Sequence, residues 1–320
     1  MTEGAGIIIA AVPVALQAGE PLVLTDGQGK LPHMQFYGSD EAQIKAALET
    51  LIVTHRRILS ACAEQLPASM EQTSDARKIV ELPYLVTTQT GGDGKGWSSC
   101  YDFLPWEDQR NDHGVTLKNR LGEFLLAQVT PPTTSEQVGV RKKVCVLFAL
   151  EGLRWRPELA PERCGVLIEA GYLPADGQMD MMTLADSRFY KWLAQGLGHL
   201  RKPLRSLSMP VELMPERFTI PQFQASMEGV LGETLDKQAF RRSVTNCGLI
   251  EEAGGVSDEI FGRPARLFRF KNDVVIARNT QCLPLVLPLA ETLTGMETIE
   301  NLLFSYRRRS ESPDPPQDEN

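Results

Sequence analysis

Lys237, Gln238, Arg241, Arg242, Thr245 and Asn246 recur at spacings that place them side by side on one face of a helix. The set contains two Arg, one Lys and short hydrogen-bonding side chains. Beyond a cap residue, Asp236, it carries no carboxylate. An Arg can pair in bidentate fashion with a guanine edge, and Asn or Gln with adenine. Arg263 and Arg266 follow in a turn-rich stretch, placed to reach a phosphate or a minor groove. Together these residues offer the chemistry of duplex recognition. The bland alternative is a solvated helix face in a protein-binding module.

The segment around them reads as a positioning device. Thr219 is a good N-cap, and Gln222 completes a capping box with it. Pro221 falls in the first turn, where its missing N–H costs little. Ile220, Phe223, Met227, Val230 and Leu231 then follow helical spacing, and Gly232 stops the helix. Asp236 caps a second helix whose buried side is Phe240, Val244 and Cys247. Gly248 suits the left-handed residue after its end. Leu249–Ile250 and Leu267, Phe268 and Phe270 predict two strands, joined by a polar loop ending in Gly262-Arg263-Pro264. Helix, turn, helix and two-stranded wing make a winged helix-turn-helix.

The residues Phe218-Thr219, Phe223-Gln224, Glu228, Leu231-Gly232, Leu235-Asp236, Phe240-Arg241-Arg242, Gly248-Leu249 and Gly262-Arg263-Pro264-Ala265 carry a family resemblance. The stretch is similar to the winged-helix half of the Nudix-related transcriptional regulators, bacterial regulators of NAD metabolism. In length and N-terminal half the chain most resembles the NadQ type of NAD-biosynthesis regulator. The resemblance is dense over 210–270 and diffuse elsewhere. It implies repression of NAD-synthesis genes and an effector reporting NAD or energy status: NAD, ADP-ribose or ATP. Two operator half-sites would need two readers, so a homodimer is expected.

Composition bounds the rest. The chain has 320 residues, of which 42% are hydrophobic and 23% charged, which is enough for two globular domains. Its formal net charge is −8, so a basic helix within an acidic whole suits a specific DNA reader rather than a general polyanion binder. The six cysteines, at 62, 100, 145, 164, 247 and 282, form no C-x-x-C pair, and none stands at metal-ligand spacing with a histidine. They read as reduced, mostly core residues of a cytoplasmic protein. No signal peptide is expected, because Pro13 interrupts the apolar run Ile7–Leu16, and no stretch is long enough to span a membrane.

The N-terminal part predicts strands at Ile7–Leu16 and Pro21–Thr25, then a long helix capped by Asp40 and running to about Leu66. Strands follow at Ile79–Thr88, Ser98–Phe103 and Val144–Leu150, with helices at Pro157–Ala170 and near Arg188–Leu200. Strands, helix and strands again describe an α+β class. The resemblance makes it a degenerate Nudix-like α/β/α sandwich followed by the winged helix. Nudix hydrolases need a short helix dense in glutamate, whose carboxylates hold the magnesium that bridges pyrophosphate oxygens. Over His33–Ile58, where that helix should lie, the sequence keeps Glu41 and Glu49 only, with an apolar Leu48–Val53 segment in place of the cluster. No catalytic residue, resident metal or required cofactor is expected. A divergent Nudix pyrophosphatase is the enzymatic alternative.

What remains for the sensing half is a ligand pocket. Trp97 and Tyr101 are candidates to stack on an adenine, and Arg141 and Lys142, at the head of a predicted strand, to face phosphate; core aromatics and a solvated strand end are the plainer readings. The Gly91–Gly96 loop reads as a hairpin, and His55-Arg56-Arg57 as surface. Arg201-Lys202-Pro203 marks a linker. The expected domains are 1–203 (sensing), 204–275 (winged helix), 276–306 (an extension with a helix near Glu291–Tyr306) and 307–320 (a disordered tail). Asp273–Ala277 reads as a short strand.

Overall fold

The structure, a computed structural model, describes residues 6–26, 30–38, 40–53, 58–72, 78–90, 96–129, 131–175, 178–181, 184–204, 209–256 and 265–285. The Gly91–Lys95 loop, His55-Arg56-Arg57, Arg263, the helix expected near Glu291–Tyr306 and the tail lie outside the described residues.

The first half is a mixed sheet with a helix on each face. Its strands are β1 (Gly6–Gln17), β2 (Glu20–Leu24), β3 (His33–Phe36), β4 (Ile58–Gln65), β5 (Ser69–Gln72), β6 (Lys78–Thr90) and β7 (Trp97–Ser99). β1 lies at the centre, parallel to β6 and antiparallel to β2 and β3. It is apolar almost throughout because both of its faces are covered. Ile9 and Ala11 point to α1 (Glu41–Val53), where they meet Ala47, Leu48 and Ile52. Ala10, Val12 and Val14 point to the opposite core with Trp192, Leu193 and Leu197. Period-two alternation thus assigns each residue of one strand to one of two cores.

A helical layer follows: α2 (Cys100–Phe103), α3 (Asp112–Ala127), α4 (Ser135–Leu147) and α5 (Ala160–Glu169). A small hairpin comes next, β8 (Tyr172–Ala175) and β9 (Gln178–Met181), then the long α6 (Leu184–Leu204). The winged helix comprises α7 (Ile220–Leu231), α8 (Lys237–Asn246), β10 (Ile250–Val256) and β11 (Arg266–Phe270). Finally α9 (Asn272–Gln281) leads to β12 (Leu283–Leu285), which pairs antiparallel with β4 and so returns to the first sheet.

Several expectations are corrected. The helix from Asp40 stops at Val53, and Ile58–Gln65 is a strand because it pairs with β6, Cys62 opposite Thr87. Val144–Leu150 is not a strand. Its first residues end α4, whose start is set by a capping box of Thr134 and Gln137, so Arg141 and Lys142 are helical. β7 ends at Ser99, whose hydroxyl caps the turn that becomes α2. Asp273–Ala277 lies in α9, which runs across the expected boundary at 275/276. Arg201–Pro203 is no linker but the last turn of α6, and Arg201 is fully buried.

That buried arginine sits at the junction of the layers. Glu107, itself fully buried, accepts from Arg163 Nε at 2.6 Å and Nη2 at 2.8 Å. It also accepts from Arg201 Nη1 at 2.5 Å. Burial alone would raise the Glu107 carboxyl; the Arg163 charge, then that of Arg201, holds it below the usual carboxylate range. Arg201 Nε donates to Val230 O at 2.8 Å, and the Tyr101 hydroxyl to Gly229 O at 2.5 Å, both in the last turns of α7. The fit here is backbone against backbone. A Cβ on Gly229 would lie 1.6 Å from Gly19 O, and one on Gly232 would lie 2.3 Å from Glu107 O.

Removing one partner of a buried ion pair leaves an uncompensated charge and costs about 3–5 kcal/mol. Arg201→Ala is therefore expected to lower stability by about that much in urea unfolding at neutral pH. A loss below about 1 kcal/mol would mean the junction does not depend on this group.

A second polar cluster ties the returning segment to the sheet. Arg278 of α9 reaches Glu64 at 2.6 Å and Glu212 at 3.3 Å, and His199 contacts Glu64 at 3.1 Å. Burial raises the Glu64 carboxyl, but hydrogen bonds and charge from His199 and Arg278 outweigh this and lower it to about 2. A depressed carboxyl stabilises fully above its unfolded value of 4.5 and loses that contribution as pH falls towards about 2. Wild type should lose stability over that acid range more steeply than Glu64→Gln, as followed by thermal melts; parallel pH profiles would refute the assignment.

Candidate nucleic-acid interface

Four rings make the winged-helix core. Phe223 stands 5.4 Å from Phe218, 5.7 Å from Phe240 and 5.8 Å from Phe270, and Phe218 stands 5.2 Å from Phe270. Thr219 and Gln222 cap α7 reciprocally, as their spacing predicts, and Pro221 lies in the first turn. Gly232 takes the left-handed conformation at φ 67°. The turn between the helices is clamped by Glu228, whose carboxylate accepts from Leu235 N at 2.8 Å and Gln224 Nε2 at 2.9 Å. Gln224 Nε2 also donates to Leu235 O at 3.0 Å. The polar residues Gln224 and Glu228 thus fix the angle at which the second helix leaves the first.

Asp236 caps α8, accepting from Ala239 N at 2.7 Å, and Phe240 and Val244 hold the helix to the core. Its other face presents Lys237, Gln238, Arg241, Arg242, Thr245 and Asn246, all exposed. The side chains of Lys237, Gln238, Arg241, Arg242 and Asn246 make no hydrogen bond or ion pair with another described residue. Thr245 donates its hydroxyl to Arg241 O at 2.8 Å, leaving the oxygen free to accept. The structure therefore brings the six side chains together on one open helical surface.

The wing contributes less positive charge than expected. β10 and β11 pair with Ile250 opposite Phe270, and Phe218 bridges to Phe268. Arg266 is on this ribbon but pairs with Glu252 at 2.6 Å, and Arg269 pairs with Glu251 at 2.8 Å. Both pairs are well exposed, so they are weak and can be exchanged for a phosphate. Glu251 stands directly across the ribbon from Arg269, and Glu252 reaches Arg266 across the irregularity in the register, so both partners were readable only once the pairing was known.

The ligand candidates do not converge. Tyr101 is 8% exposed, packs against α7 and spends its hydroxyl on Gly229, so it is not available to stack on a base. Trp97 is half-buried in β7 against the α1-side core. Arg141 pairs with Glu151 on the other side of the α4 terminus, and Lys142 is exposed on the same helix. On α1, Glu41 is exposed in the first turn and Glu49 is half-buried, with buried Leu48, Leu51 and Ile52 around it. Among the described residues, Cys62, Glu212 and Cys282 are the group of metal-ligand type within mutual reach, and they are not on α1. A cleft of about 460 Å³ lies between the two halves, bordered by His199, Lys202 and Arg278 on a largely apolar wall that includes Leu249 and Phe270.

Residues 210–270 match the NrtR DNA-binding winged helix domain over the segment just described. This part of the chain is an NrtR-type winged helix. A curated relative, the ADPR responsive transcriptional repressor NtrR of Acinetobacter baylyi, is 39% identical over 79 residues, 24% of this chain. The match spans 31% of that relative's length, under a third of it. Among solved structures, Shewanella oneidensis NrtR complexed with a 27mer DNA is similar at 16% identity and a TM-score of 0.44, covering 84% of this chain and 95% of that one. A MutT/nudix family protein from Enterococcus faecalis gives 11% identity and a TM-score of 0.45, over 85% and 90% of the two chains. At these TM-scores neither superposition defines the whole-chain fold. The mixed α+β architecture with a C-terminal NrtR-type winged helix rests on the elements described above. Among the described residues no helix is long and apolar enough to cross a membrane.

The open face sets a test. Arg241→Ala or Arg242→Ala should cost about 1–3 kcal/mol on a specific DNA site and relax preference at one base position, if that side chain reads a base. An equal loss on specific and random DNA, with a shallower salt dependence, would assign it to phosphate.

Proposed function

We propose that this chain is a nucleotide-responsive transcriptional repressor of NAD-biosynthesis genes. The NrtR-type winged helix binds operator DNA through α8, and the N-terminal α/β/α sandwich, taken as a degenerate Nudix-like domain, binds the effector. The observation that carries the reading is the α8 face: six exposed polar or basic side chains, none of them acidic, on a helix held by a capped turn. Lys237, Gln238, Arg241, Arg242, Thr245 and Asn246 enter a major groove, with Arg266 and Arg263 on the wing against phosphate. The effector is an adenine nucleotide of the NAD family. ADP-ribose leads, because the Acinetobacter relative is described as ADPR responsive; NAD and ATP are the other candidates. A cytoplasmic homodimer supplies two readers for two half-sites.

Effector and DNA favour different arrangements of the readers, which makes their binding reciprocal. The chain acts without hydrolysis. Two glutamates eight positions apart on α1, flanked by buried Leu48 and Ile52, make a poor magnesium site.

The test is a titration of labelled promoter DNA from NAD-synthesis genes against random DNA, with ADP-ribose, NAD and ATP added in turn. Specific binding altered by one nucleotide is the expected result and identifies the effector. Specific binding indifferent to all of them would reject the ligand class. No specific binding at low salt would make the winged helix a protein-interaction module, and release of AMP from ADP-ribose with magnesium would make the chain a pyrophosphatase.

A further inference from the structure

The cysteines expected to be reduced include one pair that is not. Cys62 in β4 and Cys282 after α9 are joined by a disulfide, with Cα atoms 5.8 Å apart across 220 positions of sequence. A separation of this size is one that the bond spans without moving the backbone. The bond's position matters more than its existence. Cys282 stands between α9 and β12, and the strap these two elements form begins where β11 of the wing stops. The disulfide therefore ties the exit of the winged helix to the sheet of the sensing half. Without it, the strap is held by three pairs in the β12–β4 register and by Arg278 on Glu64 and Glu212.

The surroundings suit both oxidation states. A carboxylate oxygen of Glu212 lies within 4.8 Å of both sulfurs, and Glu212 Oε1 is buried with no hydrogen-bond partner among the described residues. A thiol S–H is a donor that a disulfide lacks. Reduction would thus place a donor beside Glu212 that the bonded form lacks. The other carboxylate oxygen is held by Arg278 and Thr87. Elsewhere burial pushes the Cys100 and Cys164 thiols up to about 12, where they stay protonated and unreactive.

We infer that Cys62 and Cys282 form a redox-responsive pair whose bond locks the strap and so holds the winged helix in its present seat. The step balances by thiol–disulfide exchange. One thiolate attacks a small-molecule disulfide and releases one thiol. The second cysteine then displaces the remaining half as another thiol, and two protons and two electrons have left the protein pair. The consequence for DNA rests on the winged-helix reading given above, whereas the locking of the strap does not.

The experiment uses the full chain treated with oxidised glutathione or with dithiothreitol, beside Cys62→Ser and Cys282→Ser. Mass spectrometry of alkylated peptides reads the bond. Hydrogen exchange over Val274–Arg278 reads the strap, and promoter-DNA titration reads the consequence. The expected result is a linked Cys62–Cys282 peptide in the oxidised wild type. Exchange in α9 should be at least about tenfold slower than in the reduced form. DNA affinity should change about tenfold on reduction, and both serine variants should behave as the reduced protein whatever the treatment. Failure of the pair to link, a metal ion retained by the reduced thiols, or unchanged exchange would overturn the switch. Changed exchange with unchanged DNA affinity would overturn its coupling to DNA. If wild type binds no promoter DNA in either state, the proposed function fails, and the exchange result alone judges the strap.

Discussion

Glu107 binds two guanidinium groups at once in a site closed to water, and the position of the DNA-reading half follows from that pairing. Arg163 comes from the helical layer and Arg201 from the end of α6. Once neutralised, Arg201 still has N–H groups to spend, and it spends them on Val230 O, Pro157 O and the Tyr101 hydroxyl. A buried ion pair adds little net stability, because desolvation offsets its attraction. It is nonetheless intolerant of a lost partner, and so it specifies one arrangement. Here that arrangement places the last turn of α7 against the β1–β2 turn and its C-cap against Glu107, close enough that neither Gly229 nor Gly232 has room for a methyl group.

Much of the DNA-reading half is local in origin, and for that reason it was legible. Capping by Thr219 and Asp236, termination by Gly232 and the spacing of Phe223, Phe240 and Val244 each depend on residues within a few positions of one another. The same holds for the recognition face. The N-terminal half was legible only where strands are apolar on both faces, as in β1. The run after Val53 carries no local mark separating helix from strand, and its pairing with β6 decided the matter. Val144–Leu150 has the β-branched start of a strand, yet the capping box ten positions upstream had already begun a helix.

Charged residues misled in a more general way. Arg201-Lys202-Pro203 has the composition of a linker, but Arg201 is buried, and nothing nearby announces its partner, Glu107. Tyr101 likewise looks available for stacking until its contact with Gly229 is known. In both cases the partner lies about a hundred positions away, and only the folded chain brings it close. The disulfide is the extreme form of the same limit. Cys62 and Cys282 share no motif, and their pairing follows from β12 joining β4.

These constraints bear on how a signal could pass between the halves. α8 touches the rest of the winged helix through Phe240 and Val244, so its direction follows α7. α7 in turn is held at its C-terminal end by backbone contacts that leave no slack. An effector bound in the sandwich, as proposed above, would therefore have little scope to swing the winged helix on a loose hinge. It must displace α7 together with the turn and helix ends it sits on, or act where the joint is less tightly packed. The second route leads to the cleft between α6 and α9, where the contacts are ionic and the wall is partly open. A junction that is rigid on one side and held on the other by ion pairs and the Cys62–Cys282 bond permits rotation about the rigid side once that second set of contacts gives way. Such a rotation would reorient α8 without disturbing the helix-turn-helix itself.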